Sequence, residues 1–196
     1  MMNGSNVDPL TAAIAFAARA HEGQTCRSTD APKIVHPMEV AAIAATMTSD
    51  HEILAAAMLH DVIESCGVTE DALKGEFGDR IAKLVRAMSE EKGLDAEEGW
   101  QKRKLFSINR LRAASHDQLI LTLSDKLSSL RAIRRDLATY GDALWQRFNQ
   151  RSASMHCWYF SSVLESLSPL SDTDAYREYR DLMNQIFGEM EKRICR

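Results

Sequence analysis

Two ionisable residues, His60 and Asp61, close the most apolar stretch of the chain, Ile53 to Leu59. An imidazole and a carboxylate at the end of such a run are costly to bury unless something compensates them. A divalent metal ion would do so, because imidazole nitrogen and carboxylate oxygen together suit zinc, iron or manganese. Glu64 follows His60 by four residues. On one helix that spacing puts it on the same face, about 6 Å further along the axis, where it could hold a water molecule at the metal. Ser65 stands in the equivalent place one turn after Asp61. Alone, a His-Asp dipeptide reads as a hydrogen-bonded core pair. His36, at a helix start after a Pro-containing loop, and Asp125, inside the otherwise apolar stretch Leu119 to Leu130, change the balance. Asp125 also has a plainer reading, an ion pair with Lys126 or Arg131. One shared metal accounts for all four residues.

Such side chains need rigid elements to bring them together, and the spacing of apolar residues predicts helices throughout. Asp8 before Pro9 marks a first helix with Leu10, Ile14 and Ala17 or Ala18 facing inward. His36 before Pro37 marks a second, leading into Val40, Ile43, Ala44 and Met47. Asp50 caps a third, nearly apolar and therefore central. Thr69 opens a short helix that Gly78 ends, and Asp79 starts another through Ile81, Leu84, Val85 and Met88. After a loop around Gly93 to Gly99, helices are expected near 100 to 114, 117 to 138, 142 to 167 and 173 to 194. Leu119 to Leu123 has strand propensity but no partner strand. The fold class is all-α, with the last helix packed on the body.

The 196 residues have the composition of one ordinary globular domain, with 45% hydrophobic and 27% charged residues. A polar start without an apolar signal region, and no apolar run long enough to span a bilayer, predict a chain that is neither secreted nor membrane-spanning. Four cysteines without a CxxC pair predict free thiols in the cytoplasm. The net charge of −4 hides a polarity: −9 over residues 1–99, +7 over 100–151 and −2 over 152–196. An acidic first half is a poor footprint for duplex nucleic acid. A compact anion bridging a bound cation and the basic middle segment fits better.

The ordered runs AIAFAARAHEGQ, IVHPMEVAAI, AAAMLHDVIES, FGDRIAKLV and LSDKLSSLRAI resemble the HD-domain alarmone hydrolases, small stand-alone relatives of the hydrolase half of RelA/SpoT-type stringent-response enzymes. With WQKRK, GDALWQRFN and WYF, the resemblance covers about 12 to 167. It implies one HD-domain bundle of about eight to ten helices over 1–196. His36, His60, Asp61 and Asp125 match the family's metal ligands, the metal usually being manganese. Glu64 matches the first acid of the pair that helps activate water. The implied reaction releases the 3′-pyrophosphate of guanosine tetra- or pentaphosphate, a small phosphorylated nucleotide. Arg27, Lys104 and Arg131 match substrate-side basic residues. Assembly into homo-oligomers stays open.

Four positions depart from the family pattern. Ser65 replaces the second acid, Cys26 an Arg, Lys33 an aromatic residue and Ser129 an Asn. Loss of a carboxylate weakens water activation, and an ammonium cannot stack on a base as a ring does. More phosphate contact and less base recognition are expected. The rivals are a phosphatase of another phosphorylated nucleotide or dinucleotide cofactor, and a catalytically weakened nucleotide-binding protein.

Overall fold

The computed structural model describes residues 7–26, 30–89 and 98–194. Ten α-helices occur among them: α1 Pro9–Ala20, α2 Val35–Ala44, α3 His51–Leu59, α4 Val62–Cys66 and α5 Glu70–Phe77 come first. They are followed by α6 Asp79–Met88, α7 Glu98–Leu111, α8 His116–Tyr140, α9 Ala153–Ser166 and α10 Asp174–Ile194. Most of the expected starts hold. Asp8, Asp50 and Thr69 each accept a hydrogen bond from a backbone N–H of the following turn, which satisfies donors that a helix leaves unpaired. Ser115 and Gln118 form a reciprocal capping box at the start of α8. The segment 119–123 lies inside α8, which leaves an isolated bridge between Thr25 and Pro32 as the β pairing found among the described residues.

Helix α3 is the hub. Every residue from Ile53 to Leu59 is buried, and α1, α2, α6 and α8 pack around it. Helix α8 is the spine, 25 residues long, packed against α2, α3, α6 and α10. Tyr179, Met183, Ile186 and Phe187 form a buried stripe along α10, as packing on the body requires, with Tyr176 partly buried at its start. The side chains of Met190 and Ile194, further along the same helix, lie outside the described residues. No described helix is long and apolar enough to cross a membrane.

Three expectations need correction. Ile14 does not face inward but is 47% exposed, while Ala13 and Ala17 are fully buried; small side chains let α1 lie close against α3. The helix expected over 142–167 is a 3-10 segment, Gly141–Arg147, followed by α9. Trp145 and Phe148 turn there to pack around His156, and Ser152 caps a new helix start. The helix through the His-Asp pair is also broken: α3 stops at Leu59, and His60 and Asp61 form a turn before α4. The Ala57 carbonyl, which a continuous helix would offer to the Asp61 N–H, accepts a bond from the His60 ring instead.

Candidate metal centre

Three elements converge on one point. His36 comes from the first turn of α2, His60 from the end of α3 and Asp125 from the middle of α8. One donor atom from each lies within 4.8 Å of the others. His36 Nε2 is 3.2 Å and His60 Nε2 is 3.9 Å from Asp125 Oδ1. The two imidazole rings meet edge to face with centroids 5.1 Å apart.

The hydrogen bonds behind these rings fix which nitrogen faces inward. His60 Nδ1 is 2.8 Å from the Ala57 carbonyl oxygen; a carbonyl only accepts, so Nδ1 carries the proton. His36 Nδ1 is 2.9 Å from Ser128 Oγ. Ser128 in turn donates its hydroxyl proton to Glu39 Oε2 at 2.8 Å, so its oxygen can only accept from His36. In the neutral form of each ring, Nε2 therefore points a lone pair toward the Asp125 carboxylate. Burial pushes the His60 ring below the ordinary histidine value, which favours its neutral form. Two lone pairs and a carboxylate oxygen facing one another repel unless a cation lies among them. The donor set thus fits a divalent metal, and the bonds at both Nδ1 atoms are the outer support that metal-binding histidines use.

Burial would raise the Asp125 carboxyl, but the Lys126 ammonium, joined by the two histidines when they carry a proton on Nε2, outweighs it and holds it well below the usual range. Lys126 Nζ lies 2.6 Å from Asp125 Oδ2, which leaves Oδ1 to the histidines. The metal and ion-pair readings of Asp125 are thus compatible. Asp61 is not drawn into the group. Its Oδ2 pairs with Lys33 Nζ at 2.5 Å and its Oδ1 accepts from Ser65 Oγ at 2.9 Å. Burial opposes ionisation of Asp61 as well, but His60, Lys33 and Ser65 together lower its pKa.

Glu64 is exposed on α4. Because the helix breaks at the His-Asp pair, its position follows α4 rather than a continuation of α3. Arg131 is held by carboxylates, with Nε and Nη2 each 2.7 Å from Glu178 and Nη1 3.1 Å from Glu39. Its guanidinium therefore braces α2, α8 and α10, with three of its five N–H donors committed to carboxylates. Lys104 is half-buried and lies over the Tyr159 and Trp100 rings, 4.8 and 5.8 Å from their centroids. Arg27 lies outside the described residues.

Sequence reasoning passed over Glu39 and Ser128. Their spacing was available: each lies three residues after a metal-site residue, His36 or Asp125, and so near the same helical face.

Residues 13–154 match the HD domain family model. The chain belongs to the HD-domain family. This HD protein is 31% identical over 137 residues to a guanosine-3′,5′-bis(diphosphate) 3′-pyrophosphohydrolase of Danio rerio, covering 68% of the chain and 74% of that protein. It is 48% identical over 83 residues to the pyrophosphohydrolase of the same name from Vibrio cholerae. That match takes in 42% of this chain but only 12% of the Vibrio protein, so the chain spans a small part of the larger relative. The fold is also that of a solved structure described as a metazoan ortholog of SpoT that hydrolyzes ppGpp. The TM-score is 0.71 and the identity 23%, with 93% of this chain and 95% of the other covered.

Proposed function

We propose that this HD protein is a metal-dependent pyrophosphohydrolase acting on guanosine tetra- or pentaphosphate, or on a closely related phosphorylated nucleotide, with the whole chain serving as one catalytic unit. The convergence of two imidazole lone pairs on the Asp125 carboxylate carries this reading, supported by the family match. His36, His60 and Asp125 would hold the ion, with Asp61 as fourth ligand and manganese the preferred metal. A bound divalent ion supplies Lewis acidity to a phosphoryl oxygen and lowers the pKa of water.

The chain supplies the rest. Glu64 orients the attacking water and takes its proton on a carboxylate oxygen. The water oxygen bonds to phosphorus and the bond from that phosphorus to the nucleoside 3′ oxygen breaks; the proton held on Glu64 passes to that oxygen, giving the 3′ hydroxyl, and pyrophosphate is released. Lys104 and Lys33 offset the charge that gathers on the phosphoryl oxygens. Among the described residues Cys26, Cys66 and Cys157 form no disulfide, in keeping with a reducing cytoplasm.

Elemental analysis of the purified protein and a product assay with guanosine tetraphosphate and manganese test the proposal. Stoichiometric metal and released pyrophosphate are expected, and H36A and D125A should lose both. Unchanged turnover in either variant would refute the assignment. A second reading, orthophosphate release from another nucleotide, draws on Ser65, which donates to Asp61 where the family pattern has a second acid; the phosphorus product separates the two.

A further inference from the structure

The two acids at the candidate centre are not equally available. Asp125 divides its oxygens, Oδ2 to Lys126 and Oδ1 to the histidines. Both oxygens of Asp61 already have a partner, Lys33 on Oδ2 and Ser65 on Oδ1. The ion pair is well enclosed, with the Lys33 and Asp61 side chains only 25% and 15% exposed. Its partners are also anchored. The Lys33 N–H donates to the Gln24 carbonyl at 2.9 Å, and the Gln24 side-chain amide donates to the Ser65 carbonyl at 3.3 Å. The segment that carries Lys33 is thereby tied to α4, which begins beside Asp61.

We propose that the Lys33 ammonium is a resident counter-ion that competes with the divalent metal for Asp61, so that metal uptake in this chain requires Lys33 to release the carboxylate. The inference rests on the metal-centre reading above and concerns a residue that departs from the family pattern. A neutral side chain at position 33 leaves Asp61 free to complete the ligand set. Lysine instead places a positive charge on one of the two carboxylate oxygens. A nearby opposite charge changes the affinity of a carboxylate for a proton by about ten- to a thousandfold, and a metal ion uses the same lone pairs. An ammonium displaced from Asp61 needs a new partner, and a phosphate oxygen is what the proposed substrate class brings.

The test is direct manganese binding to the full-length protein, read from the loss of the free Mn2+ electron paramagnetic resonance signal, with no substrate present. K33M, which keeps the apolar stem, should bind Mn2+ about tenfold or more tightly than wild type. K33R, which keeps the charge, should match wild type. K126M removes an ammonium that leaves Asp125 Oδ1 open, so its gain should be smaller. Equal affinity in wild type and K33M would overturn the inference and leave the metal centre standing. Equal gains in K33M and K126M would also overturn it, because Lys33 would then act only as one positive charge among several. Absence of binding in both wild type and K33M would overturn the metal-centre reading itself. K33Q replaces K33M if circular dichroism shows the latter misfolded; a gain in affinity cannot arise from loss of structure.

Discussion

Replacing Ser128 with alanine tests the claim that the outer hydrogen bonds, and not the ligands alone, build the centre. The change removes the acceptor 2.9 Å from His36 Nδ1 and the donor 2.8 Å from Glu39 Oε2. Glu39 keeps Arg131 at 3.1 Å and is open enough to recruit water, so most of the loss falls on His36. A partly buried donor left without an acceptor costs about 1–3 kcal/mol. Removing the outer partner of a metal-binding histidine weakens metal affinity by about 10–100-fold, or about 1.4–2.7 kcal/mol at 1.36 kcal/mol per decade. S128A should therefore lose about 1 kcal/mol or more in urea denaturation with chelator present, and bind Mn2+ about 10–100-fold more weakly. Long-range nitrogen NMR on the metal-free protein should show His36 protonated at Nδ1 in wild type and a mixture of tautomers in S128A. S128T, which keeps the hydroxyl, should recover most of the affinity. Wild-type Mn2+ affinity in S128A, with an unchanged His36 tautomer, would refute the argument.

Two further predictions concern the scaffold. Asp8 raises the His51 pKa, and His51 together with the Thr11 N–H lowers that of Asp8. The pair stabilises most between the two titrations: the His51 share is lost as pH rises through its raised pKa, and the Asp8 share as pH falls through its lowered one. Proton NMR should place His51 above the ordinary histidine value in wild type and near it in D8N; identical titrations would contradict the pairing. Arg80 binds Asp50 and Asp117 at 2.8 Å each and Glu52 at 2.5 Å, joining α3, α6 and α8. R80M should lower unfolding stability by about 1 kcal/mol, with the difference shrinking in high salt; a salt-independent loss would point to packing instead.

The three residues that converge, His60, His36 and Asp125, were legible in the sequence because each breaks a local pattern, a charge in an apolar run or a polar residue at a helix start. Asp8, Asp50 and Thr69 were legible as caps for the same local reason. What escaped was long-range. Ser128 and Glu39 are 89 residues apart and meet only because α2 packs on α8. Arg131 was read toward the substrate because it matches a basic residue of the family pattern, whereas Glu178, its bidentate partner 47 residues away, is not visibly connected to it in sequence. Lys33 was read as a phosphate contact, but its partner here, Asp61, becomes apparent only once the Lys33 segment folds back on α4. The break after Leu59 escaped because an apolar run gives no sign that a side chain will take over a backbone carbonyl.

The family match ends at residue 154, yet Glu178 lies beyond it and grips the arginine that also holds Glu39. A fragment cut at the family boundary would keep every candidate ligand and still lose one of the two anchors of that arginine. Trimming the tail would therefore reach the histidine cradle at a distance, through Arg131, Glu39 and Ser128 to His36.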